Sequence, residues 1–327
     1  MPRVVLGRAL HPKGQALLEA RSDLDLVVLH DPPVARWHEA LAEADGAILW
    51  LERMDPAALA VAKRLKVVSR IGVGFDTVDV HACSARGIPV MVVNGTNDLS
   101  VAEHAMMLLL AVARRAVDID RRVKQGDWWP AEGPRMVDLA GRRALVVGYG
   151  RIGSRVAAYM RAFHMEVAVH DPFYHPARIA ADGYLVAREL HPALAEADVV
   201  SLHCPLSPAT RHLMDGRAFA ALKPGAILVN TARGPIVEEE ALIAALRSGR
   251  LMGAGLDVLE VEPARPGNRL LTLPNVVLSP HSAASTEEGM IRMAMRAAQN
   301  VLDALAGEPD PAMMVNPEIL PRPASSS

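Results

Sequence analysis

The sequence predicts an α/β fold built from two domains with parallel sheets. The chain has 327 residues, about twice the usual length of one domain. Over its first hundred residues, short apolar runs alternate with helical stretches, which is typical of a small parallel α/β domain. A glycine-rich turn between an apolar run and a helical stretch then begins a second series of such units, at residues 143–171.

The first domain is predicted from five buried strands with helices between them. The helical stretches lie near 12–20, 34–44, 56–64 and 77–86, and the strands are Val4–Leu6, Leu26–Leu29, Ala47–Leu49, Val67–Ser69 and Val90–Val93. Gly72 and Gly74 follow the fourth strand and can expose backbone N–H groups to an anion. The alternative is a plain strand-to-helix turn with Asp76 near the start of the helix.

A long helix is predicted next, with Ser100 as its N-cap and Glu103 completing a capping box. Residues 105–113 are apolar all round, which indicates burial on several sides, between domains or at a subunit interface. Glu103 and His104 resemble catalytic residues, but capping and packing explain them more simply. Of the adjacent Trp128 and Trp129, one is expected to reach a partner chain or the site, unless both only pack.

The turn at 148–153, GYGRIG, predicts a dinucleotide site. Gly148 permits the sharp turn, Gly150 lets a pyrophosphate approach the backbone, and Gly153 lets helix and strand pack closely. The helix that follows presents free N–H groups to the phosphates. Asp171, at the end of the next strand, can accept hydrogen bonds from the ribose hydroxyls, which favours NAD. A glycine turn in another α/β protein would not explain this acid.

Polar side chains follow the later strands of the second domain. Arg233, Asp257 and His281 each stand at a predicted strand end, where open α/β sheets bind ligands. Arg233 offers a fork for a carboxylate, and His281 is suited to exchange a proton near neutral pH. Glu262 could orient the imidazole and stabilise its charged form, so that His281 protonates the carbonyl oxygen during hydride transfer. A surface ion pair, a solvated Glu and a packed His are the alternatives.

Composition excludes several other classes of protein. Net charge is −2 without a long basic cluster, so no nucleic-acid partner is expected. Cys83 and Cys204 offer no disulfide framework, and no metal is expected. The start lacks a signal peptide and no apolar run could cross a membrane, so a cytoplasmic protein is expected.

With these residues assembled, the chain resembles the D-isomer-specific 2-hydroxyacid dehydrogenases between about Val67 and Asn316. The matching segments are RIGVGFDTVDV, SVAEH, LVVGYGRIG, HDPF, SLHCPLSPATRHLMD, LVNTARGPIVEEEAL, GAGLDVLEVEP and LSPHSAAST. The resemblance implies that Arg233 binds substrate, Glu262 orients and His281 is the acid/base. It also implies substrate contacts at Val73 and Gly74, and cofactor contacts at Arg151, Ile152, Asp171, Cys204, Thr231, Ala232 and Asp257, beside those of Gly148, Gly150 and Gly153.

The resemblance further implies a Rossmann NAD-binding domain at 99–285, inserted into a flavodoxin-like substrate domain of residues 1–98 and 286–327. It implies a cleft between them and a homodimer built partly on the SVAEH helix. A small 2-keto or 2-hydroxy acid is the expected substrate, with glyoxylate or hydroxypyruvate first.

Some positions depart from the family pattern. Trp50 stands where phosphoglycerate enzymes often carry an arginine, although Arg53 leaves D-3-phosphoglycerate oxidation as an alternative. Val73 replaces the lysine of phosphite enzymes, and Asn94-Gly95 replaces a Pro-Gly pair. His175 and Arg178 near Asp171 leave NADP as an alternative cofactor. A non-enzymatic, NAD-sensing corepressor-like protein is the other alternative, because such relatives share this fold.

Overall fold

The computed structural model describes residues 1–128 and 135–320, so Trp129 lies outside the described residues. The chain forms two compact units. One contains Met1–Asn97 together with the chain from Ser285 onward, and the other contains Asp98–Ala284. In the described ranges, no helix is long and apolar enough to cross a membrane.

The first unit is built on a five-stranded parallel sheet. Its strands are β1 (Arg3–Leu6), β2 (Asp25–Val28), β3 (Gly46–Leu49), β4 (Val67–Arg70) and β5 (Val90–Met91), in the order β2-β1-β3-β4-β5. This is the flavodoxin-like order, as predicted. The helices between the strands are α1 (Pro12–Glu19), α2 (Val34–Leu41), α3 (Pro56–Val61) and α4 (Val80–Ala85).

The second unit begins with two helices. They are followed by a seven-stranded parallel sheet and the helices that connect its strands. The helices are α5 (Asp98–Ala113), α6 (Ala116–Lys124), α7 (Arg151–Ala162), α8 (Pro176–Ala181), α9 (Leu190–Glu196), α10 (Gly216–Ala221) and α11 (Glu239–Arg247). The strands are β6 (Arg143–Val147), β7 (Glu166–His170), β8 (Leu185–Val186), β9 (Val199–Leu202), β10 (Ala226–Asn230), β11 (Leu251–Leu256) and β12 (Val276–Leu278). The chain then returns to the first unit through α12 (Glu287–Leu305).

The strand order of this sheet is β8-β7-β6-β9-β10-β11-β12, with every pairing parallel. The order reverses between β6 and β9, which is the topological switch point of a Rossmann sheet. Central strands are buried on both faces: Leu145, Val146, Val200 and Leu228 have no exposed surface. The predicted fold class, two doubly wound parallel sheets, is confirmed.

One local prediction about the long helix, its capping by Ser100, was wrong. α5 begins at Asp98, so Ser100 lies inside its first turn and is buried rather than capping the helix. The helix also stops at Ala113, because Arg115 adopts a left-handed conformation (φ +53°) before α6 begins. Apolar periodicity continues through this break, and therefore did not reveal it.

The predicted helix at 77–86 starts later than expected. α4 begins at Val80, and Asp79 caps it by accepting a hydrogen bond from the Ala82 N–H. Asp76 therefore does not cap this helix, and residues 71–79 form a longer irregular turn after β4. The helix therefore begins four residues after Asp76, later than the alternative of a plain strand-to-helix turn assumed.

Candidate active site

Three neighbouring strands of the second unit end at one edge of its sheet. Asn230 of β10 pairs in register with Leu256 of β11, and Leu256 pairs with Leu278 of β12. The segments that follow carry the predicted residues Arg233, Glu262 and His281. Because carboxyl ends of parallel strands meet at the same edge, chain positions 233, 262 and 281 converge there.

His281 and Glu262 are hydrogen-bonded to each other. His281 Nδ1 lies 2.7 Å from Glu262 Oε2, and the second carboxylate oxygen accepts a hydrogen bond from the Leu259 N–H at 2.9 Å. A carboxylate can only accept, so Nδ1 carries the proton in this pair. Nε2 is then the nitrogen available for proton exchange with a ligand. Both side chains are partly open, 39% and 35% exposed.

Arg233 lies in a segment that packs against the loop of Glu262. It is half-buried, and its Nη1 donates to the Ala232 carbonyl oxygen at 2.7 Å. A Cβ at Gly234 would fall 1.8 Å from the Leu259 carbonyl oxygen, so only glycine permits this close approach. The backbone of the arginine segment is thereby fixed against the loop that carries Glu262.

A second His–Glu pair, which the sequence did not single out, braces the same loop. His212 Nε2 lies 2.6 Å from Glu260 Oε1, and Glu260 Oε2 accepts from the Glu239 N–H at 3.1 Å. Glu260 therefore joins the loop to the start of α11. Residues 212 and 260 are 48 positions apart, so no local pattern signals the contact.

The glycine turn between β6 and α7 has the predicted geometry. Gly148 has φ +94°, and a Cβ there would lie 2.6 Å from the Cys204 nitrogen. A Cβ at Gly153 would lie 2.0 Å from the Gly148 carbonyl oxygen. At Gly150, in contrast, nothing lies within 4 Å of the added carbon. The turn is therefore closed on the protein side and open where a phosphate would approach.

Arg151 and Ile152 begin α7, whose first N–H groups have no partner inside the helix. This helix N-terminus points its dipole and its donors toward the open turn. Asp171 directly follows β7 and is tied to the turn, because Oδ2 accepts from the Tyr149 N–H at 2.8 Å. Its Oδ1 accepts from the Phe173 N–H at 2.9 Å. The acid is thus held in place beside the glycine turn.

Tyr149, which lies between the first two glycines of GYGRIG, has contacts that the sequence did not indicate. Its hydroxyl donates to Asp182 Oδ2 at 2.9 Å, and its ring packs edge-on against Tyr174 and Tyr184. Burial, and then this bond, raise the pKa of the Tyr149 phenol. Arg178 lies over the Tyr174 ring, 5.7 Å from its centroid. The aromatic cluster therefore fixes the turn from the side of α8.

Residues after β9 and β10 line the same edge. Burial lowers the pKa of His203 to about 3, so this imidazole is neutral near pH 7. Burial raises the pKa of Cys204 to about 11, so its thiol stays protonated. Thr231 is buried, and its hydroxyl has no partner among the described residues. The Ala232 N–H donates to Asn230 Oδ1.

These features fit a dinucleotide. The open space at Gly150, the donors at the start of α7 and the orphaned Thr231 hydroxyl all suit a polar ligand rich in phosphate and hydroxyl groups. Among the described residues, no cluster of His, Cys, Asp and Glu has the arrangement of a metal site.

Asp257, the remaining predicted contact, is almost completely buried at the end of β11. Its carboxylate accepts hydrogen bonds from Ser279, Ser282 and Ala283. It therefore contacts the segment on both sides of His281.

Val73 and Gly74 belong to the first unit. They follow β4, are half-buried and lie in the irregular turn described above. Gly72 joins this turn to the segment after β5, because its carbonyl oxygen accepts from the Val93 N–H at 3.2 Å. Trp50 follows β3 in this unit, and Arg53 nearby is exposed.

A family model described as D-isomer specific 2-hydroxyacid dehydrogenase, NAD binding domain, matches residues 106–283. A glyoxylate reductase of Aeropyrum pernix is 38% identical, with 98% of this chain and 97% of that protein covered. A glyoxylate/hydroxypyruvate reductase B of Klebsiella pneumoniae is 38% identical, over 97% and 99%. A D-3-phosphoglycerate dehydrogenase of Archaeoglobus fulgidus is 40% identical, over 79% of this chain and 48% of that protein.

Solved structures resemble the chain over nearly its whole length. The TT0316 protein of Thermus thermophilus has a TM-score of 0.89 and 40% identity, with 96% of this chain and 99% of that chain covered. A D-lactate dehydrogenase of Aquifex aeolicus, in complex with NAD and lactic acid, has a TM-score of 0.85 and 28% identity, over 98% and 99%.

Proposed function

The chain belongs to the D-isomer-specific 2-hydroxyacid dehydrogenase family, and we propose that it reduces glyoxylate or hydroxypyruvate with NADH. As a member, it is an NAD-dependent oxidoreductase that acts on CH–OH groups. The observation that carries the proposal is the His281–Glu262 hydrogen bond, at the sheet edge that also carries Arg233. The names of the relatives that match over the full chain support this substrate class.

In the proposed reaction each side chain has a separate task. The Arg233 guanidinium binds the substrate carboxylate through parallel hydrogen bonds. The charged His281 imidazole gives the proton on Nε2 to the C2 oxygen, and Glu262 stabilises that charged form. When bound, the reduced nicotinamide would supply the hydride to C2. In the opposite direction, neutral His281 takes the hydroxyl proton.

We assign the NAD site to the second unit. Gly148, Gly150 and Gly153 shape the turn, and the N–H groups of Arg151 and Ile152 face the phosphates. Asp171 accepts hydrogen bonds from the adenosine ribose and disfavours a 2′-phosphate. Cys204, Thr231, Ala232 and Asp257 complete the set. In the first unit, we assign binding of the substrate carboxylate to the backbone of Val73 and Gly74.

D-3-phosphoglycerate oxidation is supported less well. At the end of β3, Trp50 occupies the position that resemblance to those enzymes assigns to an arginine. A bulky indole offers a phosphate one donor and no charge.

We also propose a homodimer formed through the surface of α5 and α6. Met107 and Val117 on this surface are 45% and 60% exposed, and Phe163 at the end of α7 is 41% exposed. Together with Met106 and Leu110 they line one apolar groove. Contiguous apolar surface of this kind is typical of subunit interfaces, and twofold dimers are the commonest assembly. Sedimentation equilibrium of the wild type and of Val117→Asp tests the proposed homodimer. A monomeric wild type would contradict the proposal.

The substrate assignment is tested by following NADH absorbance with a panel of 2-keto acids. The panel contains glyoxylate, hydroxypyruvate, pyruvate, phenylpyruvate and phosphohydroxypyruvate, with NADPH in parallel. We expect the highest kcat/KM with glyoxylate or hydroxypyruvate, and with NADH. Preference for phosphohydroxypyruvate would replace the proposed substrate. NADH binding without turnover of any acid would favour a cofactor-sensing protein.

A further inference from the structure

The buried carboxylate of Asp257 is surrounded by hydrogen-bond donors from one short segment. Oδ1 accepts from Ser279 Oγ at 2.6 Å and from the Ser282 N–H at 2.9 Å, and Oδ2 accepts from the Ala283 N–H at 2.9 Å. The Asp257 carbonyl oxygen accepts from the His281 N–H at 2.8 Å. A single aspartate therefore bonds to four of the five residues in the His281 segment, defined here as 279–283.

The His281 segment needs this support. His281 has φ +52°, in the left-handed region, which costs a residue with a side chain about 1 kcal/mol. The bonds from Asp257 lie on both sides of this residue, so they hold the strained conformation. That conformation also directs the imidazole toward Glu262, 2.7 Å away.

His104 of α5 completes the arrangement from a distant part of the chain. Its Nε2 lies 2.7 Å from Ser279 Oγ and 3.5 Å from Asp257 Oδ1. The side chain of Asp257 is 1% exposed and that of His104 is 17% exposed. A helix that precedes the glycine turn thus contacts the segment of the proposed acid/base.

The directions of these hydrogen bonds exclude a second nucleophilic site. Asp257 can only accept, so the Ser279 hydroxyl gives its proton to the aspartate. His104 must then donate from Nε2 to the serine oxygen. A serine activated by histidine requires the opposite direction, with the imidazole accepting the hydroxyl proton. The chain of bonds is therefore suited to holding atoms in place rather than to attacking a substrate.

We propose that Asp257, Ser279 and His104 act as an anchor that positions His281 for proton transfer. This inference rests on the proposed function, because it assumes that His281 is the acid/base. His104 and Ser279 are positioning residues, which act through the His281 segment without touching the substrate. Displacement of a reacting group by about 1 Å can lower a rate by about 10²-fold, so a loosened anchor should lower turnover more than cofactor binding.

Ser279→Ala and His104→Ala test the anchor, with Ser279→Thr as the variant that restores the hydroxyl. We expect both alanine variants to lower kcat by about 10-fold or more, with the Kd for NADH unchanged. Ser279→Thr should recover most of kcat. The double alanine variant should lose no more than Ser279→Ala, because His104 acts through that serine. Ser248→Ala is the matched control, since Ser248 is exposed and its hydroxyl donates to the Ala245 carbonyl oxygen of its own helix turn, away from residues 279–283.

Amide hydrogen exchange provides a second measurement. In the alanine variants, the amides of His281, Ser282 and Ala283 should exchange faster, with the rest of the second unit unchanged. Slower turnover together with faster exchange throughout the unit would overturn the proposal, since it would show general loosening.

His281→Asn is assayed in parallel. If His281→Asn is inactive and both alanine variants keep the wild-type kcat, the anchor is contradicted. If His281→Asn keeps the wild-type kcat, the assignment of His281 as the acid/base fails, whereas a wild type that turns over no 2-keto acid would contradict the proposed function itself.

Discussion

Two histidines of the candidate site differ in burial and in partners: His281 lies within residues 279–283, and His104 contacts Ser279 of that segment. His281 meets Glu262 where both side chains are more than a third exposed. His104 meets Ser279 beside the buried Asp257. In the first pair, one ring nitrogen stays available and the proton can exchange with a ligand or with water. In the second pair, three hydrogen-bond donors contact the Asp257 carboxylate. Because a carboxylate only accepts, the direction of each hydrogen bond is fixed.

This comparison shows that the residues assigned to proton transfer and the residues assigned to positioning differ in how deeply they are buried. A group that exchanges protons with a substrate must be reachable, whereas a group that fixes a backbone works best when water cannot compete. The residues we assign to proton transfer are more than a third exposed, whereas among the supporting residues Asp257 is buried and the side chain of His104 is only 17% exposed. Changes to the first set should lower activity without lowering stability, whereas removal of the buried Asp257 carboxylate should lower both.

Arg233→Ala should give the largest effect among changes that leave His281 in place. Removing the guanidinium leaves the substrate carboxylate without its charged partner, and loss of such a partner costs about 2–5 kcal/mol. We expect kcat/KM to fall by about 10²-fold or more, with an unchanged melting temperature. Steady-state kinetics and thermal unfolding check this. A clearly lowered melting temperature would instead show that Arg233 supports the fold.

Asp257→Ala and Glu262→Ala compare the two carboxylates directly. Asp257→Ala leaves buried N–H groups without an acceptor, at about 1–3 kcal/mol, so the free energy of unfolding should fall by at least that amount. Glu262→Ala removes a partly exposed side chain, and the change should stay within about 0.5 kcal/mol. Denaturant titration measures both. Equal losses would mean that burial does not distinguish the two groups.

Glu262→Gln should lower kcat by about 10²-fold, because an amide cannot stabilise the charged imidazole as a carboxylate does. Glu262→Asp, which keeps the charge on a shorter side chain, is the comparison. We expect the aspartate variant to retain more activity than the glutamine variant. The opposite ranking would show that side-chain length matters more than charge at this position.

Asp171→Ala should have the smallest effect, confined to the choice of cofactor. Without the carboxylate, a 2′-phosphate meets no repulsion, so the ratio of kcat/KM for NADH to that for NADPH should fall by about 10-fold. Asp182→Asn, which alters the hydroxyl partner of Tyr149, is a control on the same side of the turn. An unchanged ratio would mean that Asp171 serves only to hold the Tyr149 backbone.

The sequence was sufficient for the fold and for much of the candidate site. Parallel strands were visible as short apolar runs, and the glycine turn showed its geometry through the spacing of Gly148, Gly150 and Gly153. Such features are local, since each depends on residues within one strand–turn–helix unit. The strand ends in turn indicated which side chains share an edge.

Contacts between distant segments could not be read in this way. His104 and Ser279 are 175 residues apart, and Tyr149 and Asp182 are 33 apart. No periodicity in the sequence indicates pairs of residues that are this far apart. His104 was visible only as a polar residue in an apolar helix, for which packing was a sufficient explanation. The left-handed residue Arg115 was hidden for a related reason, because apolar spacing continued across the break.

The most direct measurement is a single turnover of the NADH complex, in which wild type and His281→Asn are each mixed with the acid preferred in the panel. NADH absorbance follows the chemistry, and NADH fluorescence shows that the cofactor is bound in both. We predict rapid NADH oxidation by the wild type and a rate about 10³-fold lower in the variant, with equal NADH binding. Equal rates would contradict the assignment of His281 as the acid/base and, with it, the distinction between the two histidines.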